Sequence, residues 1–422
     1  MQIIENNKVK EKIYIEKLSN GIDVVFIPKK TNKKIIIWGI NYGSINSKFL
    51  SNGKEINIPD GSAHYLEHKL FEQENGTNSL DVLSNLGVDA NAYTTNNHTA
   101  YLFECTENFD AGLDELMDYV QNPYFTDENI DKERGIIEQE IMMYKDYPEW
   151  EIYMHTIEAM YHNNPIRIDV AGSKESIAEI TKETLYSIYE NFYTPNNSII
   201  VVSGDFKPEE IMEKIKSRIF MKESKNEVER LYPVEPDSIK EKIVKSKMDI
   251  SVPMFMLGFK DNNLKDDFVK KEIALDIIFN YLYSKSSKFH NELYEEGKII
   301  SEINFNYEYA LEYSHVLLQG QSDDVDYVIK RILQEIEELK QNGFDTKRLE
   351  NIRRKVYGER IKDNFNSASS ISTEYVTNYF RKVNLFEYFE EFETINVDYL
   401  RKVIDDMLNE KNMVISVIEP KI

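Results

Sequence analysis

The stretch His64-Tyr65-Leu66-Glu67-His68 decides how the rest of the chain is read. On a helix, residues four apart share a face and lie about 6 Å apart along the axis. His64 and His68 therefore turn two imidazoles toward one point, with Glu67 beside them. Two imidazoles suit zinc, and a catalytic zinc site takes a third protein ligand while keeping a position open to water. A carboxylate next to that position can accept a proton from water whose pKa the metal has lowered. The residue order is the inverse of the better-known zinc helix. Seven histidines occur in 422 residues, and two of them fall within these five. The competing reading is a helix with two ordinary surface histidines.

The third ligand has to come from elsewhere in the chain. Cys105 is the single cysteine, which rules out a thiolate zinc site and any intrachain disulfide. Thr126-Asp127-Glu128 supplies a cap and an acidic first turn for a helix expected over 126–145. That helix carries Glu133 and Glu140, two turns apart and so on one face, whereas Glu138 is rotated away from both. In such a pair one glutamate binds metal and the other orients a histidine. Either glutamate alone is more simply a solvated residue of an acidic chain; the case rests on the pair facing the histidine helix.

Working outward, Lys12–Lys17 and Asp23–Pro28 read as a hairpin across Asn20-Gly21. A strand follows at 34–42, and a polar loop over 44–61 leads into the histidine helix. After a short helix near 80–86 come strands at 89–95 and 99–105, joined by Asn96-Asn97-His98. Helices are expected over 110–121, 126–145, 148–161 and 174–192, then a strand over 198–203 and a helix over 208–218. The charged segment 221–238, with Pro233 and Pro236, reads as a linker. It divides the chain into a first domain over 1–220, a linker over 221–240 and a second domain over 241–422.

The second half repeats the first. Gln121-Asn122-Pro123-Tyr124-Phe125 has a counterpart in Gln341-Asn342-Gly343-Phe344, and Ile130 and Glu140 match Leu349 and Glu359 at a constant offset of 219 residues. The strand pair over 89–105 corresponds to 301–319. The expected class is α+β: two homologous domains, each a mostly antiparallel sheet packed with helices, related by internal duplication. Chance recurrence of the same element order is the alternative.

Composition bounds the partners. Asp and Glu number 74 against 51 Lys and Arg, a formal net charge of -23, which repels nucleic acid and anionic lipid. Such a surface favours basic or neutral partners, or serves solubility alone. With 41% hydrophobic residues, real cores can form. No uncharged apolar run approaches membrane-spanning length, and Met1–Lys8 lacks an apolar signal region. The expectation is a cytoplasmic protein with no membrane and no nucleic-acid partner.

The chain resembles the pitrilysin/insulinase family of zinc peptidases, in its small two-domain bacterial type; the family includes the mitochondrial processing peptidase. The resemblance runs over nearly the whole length. It rests on Gly61-Ser62-Ala63-His64-Tyr65-Leu66-Glu67-His68, and on Leu18-Ser19-Asn20-Gly21, Asn91-Ala92-Tyr93-Thr94 and Glu133 through Glu140. Phe192-Tyr193-Thr194-Pro195-Asn196-Asn197, with the apolar strand ending in Gly204-Asp205, adds to it. The resemblance implies one Zn2+ per chain, held by His64, His68 and Glu140, with Glu67 as general base and Glu133 supporting a histidine. It implies a metallo-endopeptidase acting in an enclosed chamber, and a role in leader-peptide removal or peptide maturation. Ala90, Asn91, Ala92 and Tyr93 would bind substrate as an added strand, a mode that reads backbone and asks little of sequence. The alternative for Asn91 is a turn-forming or satisfied polar residue.

One departure bears on partners. The second half has no His-x-x-Glu-His, and Ile352 stands where Glu133 would recur. Active relatives carry an arginine and a tyrosine in a second-half segment that here reads Leu293-Tyr294-Glu295-Glu296-Gly297-Lys298-Ile299-Ile300-Ser301. Tyr294 occupies the arginine position and Ser301 the tyrosine position. Such a pair stabilises an oxyanion, help often worth about 3 kcal/mol. The resemblance therefore implies a heterodimer with a related metal-free subunit that supplies the pair, rather than a homodimer. Substitution by Tyr307 or Tyr309 is the alternative. The rival function is a fold relative acting as a binding or scaffold subunit.

Overall fold

The computed structural model describes residues 1–221, 223–264 and 267–421. The molecule is α+β and has two compact units. Unit 1 comprises Met1–Ile141, Asp169–Tyr232 and Ile361–Leu385; unit 2 comprises Met142–Ile168, Pro233–Arg360 and Phe386–Ile422. The unit 1 strands are β1 (Gln2–Asn6), β2 (Glu11–Lys17), β3 (Asp23–Pro28), β4 (Lys34–Ile40), β5 (Lys48–Ser51), β6 (Lys54–Asn57), β7 (Asp89–Thr94), β8 (Thr99–Cys105), β9 (Ser198–Gly204) and β10 (Val228–Arg230). Those of unit 2 are β11 (Ile243–Met248), β12 (Met254–Lys260), β13 (Asn304–Tyr309), β14 (Ser314–Gln321) and β15 (Met413–Pro420). The first five helices are α1 (Ser62–Lys69), α2 (Ser79–Asn85), α3 (Phe109–Gln121), α4 (Asp127–Lys145) and α5 (Pro148–Met160).

The main sheet of unit 1 runs β1-β2-β3-β9-β4-β8-β7, with β3 and β9 parallel and every other neighbouring pair antiparallel. The unit 2 sheet runs β11-β15-β12-β14-β13, with β11 and β15 parallel and the rest antiparallel. Without the β1-β2 hairpin the two orders and senses coincide, so the repeat read in the sequence is present in the topology. Three short strands, β10-β5-β6, form a separate sheet within the segments expected to be loop and linker. The helices expected over 174–192 are Lys174–Ala178 and Lys182–Phe192; Thr181 caps the second start by accepting the Thr184 N–H at 3.3 Å.

β4 and β9 contain the unbroken apolar runs Ile35-Ile36-Ile37-Trp38 and Ile199-Ile200-Val201-Val202, every residue of which is buried. Unbroken burial requires cover on both faces. One face, with Ile36, Trp38, Ile40, Ile200 and Val202, joins the main core of unit 1. The other takes the helix Ala368–Arg381, which packs on β4 and β9. Gly39 permits the approach: a Cβ there would lie 2.9 Å from Phe380 and 3.0 Å from Val376.

In unit 2, β12 is buried from end to end and α5 packs across it. A Cβ on Gly258 would lie 2.5 Å from Met160 Cε and 2.7 Å from Thr156 Cγ2. Gly39 and Gly258 are related by the same offset as Glu140 and Glu359. Each sheet is thus closed by a helix from the other half of the sequence. For that reason the compact units depart from a division drawn at 220 and 240. The linker segment is also anchored: Glu235 accepts the backbone N–H groups of His162, Asn163 and Asn164 at 2.9, 2.7 and 2.8 Å, and Lys260 Nζ donates to it at 2.6 Å.

The approach to α1 is a tight turn. Gly61 has φ 89°, and a Cβ there would lie 2.4 Å from the Ala171 carbonyl oxygen. Ser176 Oγ donates to the Asp60 carbonyl at 2.8 Å and Ser62 Oγ to the Pro59 carbonyl at 2.7 Å, which fixes the turn from both sides. Gly61→Ala is expected to cost about 1–3 kcal/mol from backbone conformation alone, lowering the thermal midpoint by about 2–4 °C per kcal/mol. A melting curve superimposable on that of the parent chain would contradict this account of the turn.

Candidate metal centre

α1 is only eight residues long and divides its side chains sharply. Tyr65 and Leu66 are fully buried in the core of unit 1, and the Tyr65 hydroxyl donates to the Ile130 carbonyl of α4 at 2.5 Å. That bond fixes how α1 meets α4. The α4 stripe Ile130, Glu133, Ile137 and Ile141 is buried, and Thr126 caps the helix by accepting the Asn129 N–H at 3.1 Å. His64, Glu67, His68, Glu133 and Glu140 all lie within unit 1.

The structure brings together His64, His68 and Glu140, whose ligand atoms all lie within 4.8 Å of one another. His64 Nε2 is 3.7 Å from Glu140 Oε1, and His68 Nε2 is 3.5 Å from Glu140 Oε2. Nitrogen and oxygen ligands of a tetrahedral zinc at about 2.0–2.1 Å stand about 3.3 Å apart, so these separations fit a common ion. Glu133 is placed differently: its Oε1 is 3.1 Å from His68 Nδ1, the ring nitrogen that does not face Glu140. His64 Nδ1 is buried and has no hydrogen-bond partner among the described residues. Glu138 turns aside and pairs with Lys174 at 3.1 Å.

The electrostatics suit a cation. Burial and the neighbouring His68 push the His64 pKa down to about 3, leaving the neutral imidazole that can bind metal. Burial works against charge on His68, but the Glu133 hydrogen bond and the charges of Glu67, Glu133 and Glu140 outweigh it and raise its pKa. Burial raises the Glu67 pKa, opposed by a hydrogen bond from Thr94. For Glu133 the upward push of burial is overcome by His68 and Lys69, so this carboxylate titrates lower than usual.

Two residues around this cluster were not singled out from the sequence. Lys69 is fully buried, with Nζ 2.7 Å from Glu72 and 3.7 Å from Glu133, and so it backs the carboxylate that holds His68. Thr94 Oγ1 donates to Glu67 Oε2 at 2.6 Å. No spacing rule links position 69 to 133 or 94 to 67. The only sequence signal was the place of Thr94 in Asn91-Ala92-Tyr93-Thr94.

Ala90, Asn91, Ala92 and Tyr93 lie on β7, the last strand of its sheet, against which α1 and α2 pack. Asp89 and Asn91 are exposed, while Ala90, Ala92 and Tyr93 are half-buried. Asn91 Oδ1 accepts the Ala92 N–H at 2.9 Å, so its own strand engages it. In unit 2, Tyr294 is 60% exposed and Ser301 is also exposed. Tyr309 is buried with its hydroxyl donating to Glu272 at 3.2 Å, and the Tyr307 hydroxyl is 2.9 Å from Ser314 Oγ. Both hydroxyls are engaged inside unit 2.

The model for the insulinase family, peptidase family M16, matches residues 53–174, and that for the peptidase M16 inactive domain matches residues 179–356. An uncharacterized zinc protease, YmfH, of Bacillus subtilis (strain 168) is 34% identical over 429 residues, covering 99% of each chain. The probable mitochondrial-processing peptidase subunit beta of Arabidopsis thaliana is 23% identical over 86% of this chain and 71% of its own. The crystal structure of a putative M16-like peptidase from Alicyclobacillus acidocaldarius superposes with a TM-score of 0.92 at 30% identity, over 99% of this chain and 100% of that one. Among the described residues no helix is long and apolar enough to cross a membrane. The chain belongs to the insulinase family of zinc proteases, peptidase family M16.

Proposed function

We propose that this chain is a zinc metallo-endopeptidase, and the observation that carries the proposal is the convergence of His64, His68 and Glu140 beside the buried carboxylate of Glu67. His64, His68 and Glu140 are assigned as the ligands of one zinc ion, and Glu133 as the residue that orients His68. A bound zinc ion would polarise a peptide carbonyl and lower the pKa of water. Glu67 then accepts the proton of the attacking water at its carboxylate and returns it to the leaving amine. His68, held by Glu133, keeps one ring nitrogen toward the metal position.

Substrate is assigned to the open edge of β7, where an extended peptide adds as a further strand past Ala90, Asn91, Ala92 and Tyr93. Backbone recognition accepts many sequences, provided the peptide is short or unfolded enough to enter an enclosed chamber. Removal of a leader peptide, in the cytoplasm, is the specific role proposed. A partner subunit, related and metal-free, is proposed to supply the arginine and tyrosine for which Tyr294 and Ser301 stand here. The same two positions favour the second reading, a scaffold subunit without catalysis, which the retained Glu67 and both histidines oppose.

Three outcomes are expected. Glu67→Gln should bind zinc at the parent stoichiometry and lose about 10²–10⁴-fold in peptide hydrolysis; appreciable hydrolysis by that variant removes the base assignment. Glu133→Gln should weaken zinc about 10–100-fold in chelator competition, whereas an unchanged affinity would mean that His68 needs no support. The purified chain should be weak on generic peptides and gain activity when mixed with its metal-free relative. Full activity of the isolated chain defeats the heterodimer.

A further inference from the structure

Glu67 sits in a carboxylate-rich pocket and is 7% exposed, yet among the described residues one protein donor fixes its orientation: Thr94 Oγ1, 2.6 Å from Oε2. A threonine hydroxyl has a single proton to give. Its other neighbour, Thr99 Oγ1, is 3.4 Å away and donates its own proton to the Tyr42 carbonyl at 2.9 Å. The Thr94 proton is therefore committed to Glu67, and a hydrogen bond to a charged acceptor is among the stronger kinds.

Thr94 is itself held still. It ends β7 in register with Thr99, and as a β-branched residue it is stiff at χ1. The hairpin tip beyond it is closed by Thr95 N–H donating to the His98 carbonyl at 2.8 Å, and by Thr95 Oγ1 accepting the His98 N–H at 3.0 Å. The tip is seated on a neighbouring turn, where Ser44 N–H donates to the Thr95 carbonyl and Ile45 N–H to the Asn96 carbonyl, both at 3.1 Å. A Cβ on Gly43 would lie 2.5 Å from the backbone of residues 95, 96 and 97, so the seat admits no side chain there.

We infer that Thr94 is a positioning residue for Glu67: it holds Oε2 and leaves the other carboxylate oxygen to face the water. The inference rests on the peptidase reading for its meaning in catalysis. It adds a physical link, because the strand whose open edge is assigned to the peptide is also the strand whose last residue aims the base. Docking and proton transfer then share one rigid element.

The test compares Thr94→Val and Thr94→Ser in the full chain. Thr94→Val keeps a β-branched residue in the strand and removes only the donor. It should retain the parent zinc content and KM within about twofold while kcat falls about 10–100-fold, and Thr94→Ser should recover most of kcat. A crystal structure of Thr94→Val should find the Glu67 carboxylate rotated, with His64, His68 and Glu140 in place. An unmoved Glu67, an unchanged kcat, loss of zinc from Thr94→Val, or failure of Thr94→Ser to recover kcat would each overturn the inference. If the parent chain hydrolyses nothing even when mixed with its metal-free relative, the peptidase reading fails, and the Glu67 orientation in the variant crystal still decides for or against the role of Thr94.

Discussion

Charge held partly out of water is the constraint around which unit 1 is organised. Glu67, Glu133 and Glu140 crowd against two imidazoles at one place. Carboxylates so gathered repel one another and lose hydration, which is tolerable only with compensating partners. Lys69 answers on one side, buried between Glu72 and Glu133. On the other side His64, His68 and Glu140 stand at mutual distances that could hold a small dication. The surrounding structure serves this cluster: the Gly61 turn sets the start of α1, and Tyr65 ties α1 to α4.

Not every member of the cluster is held in the same way. His68 has a carboxylate on its far nitrogen and a lysine behind that carboxylate, whereas His64 is fixed by burial, its far nitrogen lacking a partner among the described residues. The two imidazoles are chemically alike but mechanically distinct. One is steered by electrostatics, the other by packing.

Much of this was legible in the amino-acid order, for identifiable reasons. The His64–His68 string declares itself because helical periodicity and metal chemistry coincide in five adjacent residues. Glu133 and Glu140 could be found from their two-turn spacing. Which meets His68 Nδ1 and which lies between the two histidines did not follow from spacing, since both share one face; the answer depends on where α4 crosses α1, a tertiary fact. Lys69 and Thr94 act through contacts with distant positions that carry no pattern. The strands rich in Ile and Val were plain, and so was the repeat. β1, β5, β6 and β10 were missed because each is only three to five residues long, too short to show a period. The unbroken burial of β4 and β12 called for a second covering layer, but any amphipathic helix could have supplied it.

The paired glycines at 39 and 258 bear on how such a chain is born. A growing polypeptide that has completed every strand of its first sheet still presents that sheet's back, with Ile35, Ile37, Ile199 and Val201, to solvent until residues 368–381 emerge. Neither sheet can finish without sequence from the other half. Long-range closure of this kind slows folding and leaves apolar surface exposed in the interim.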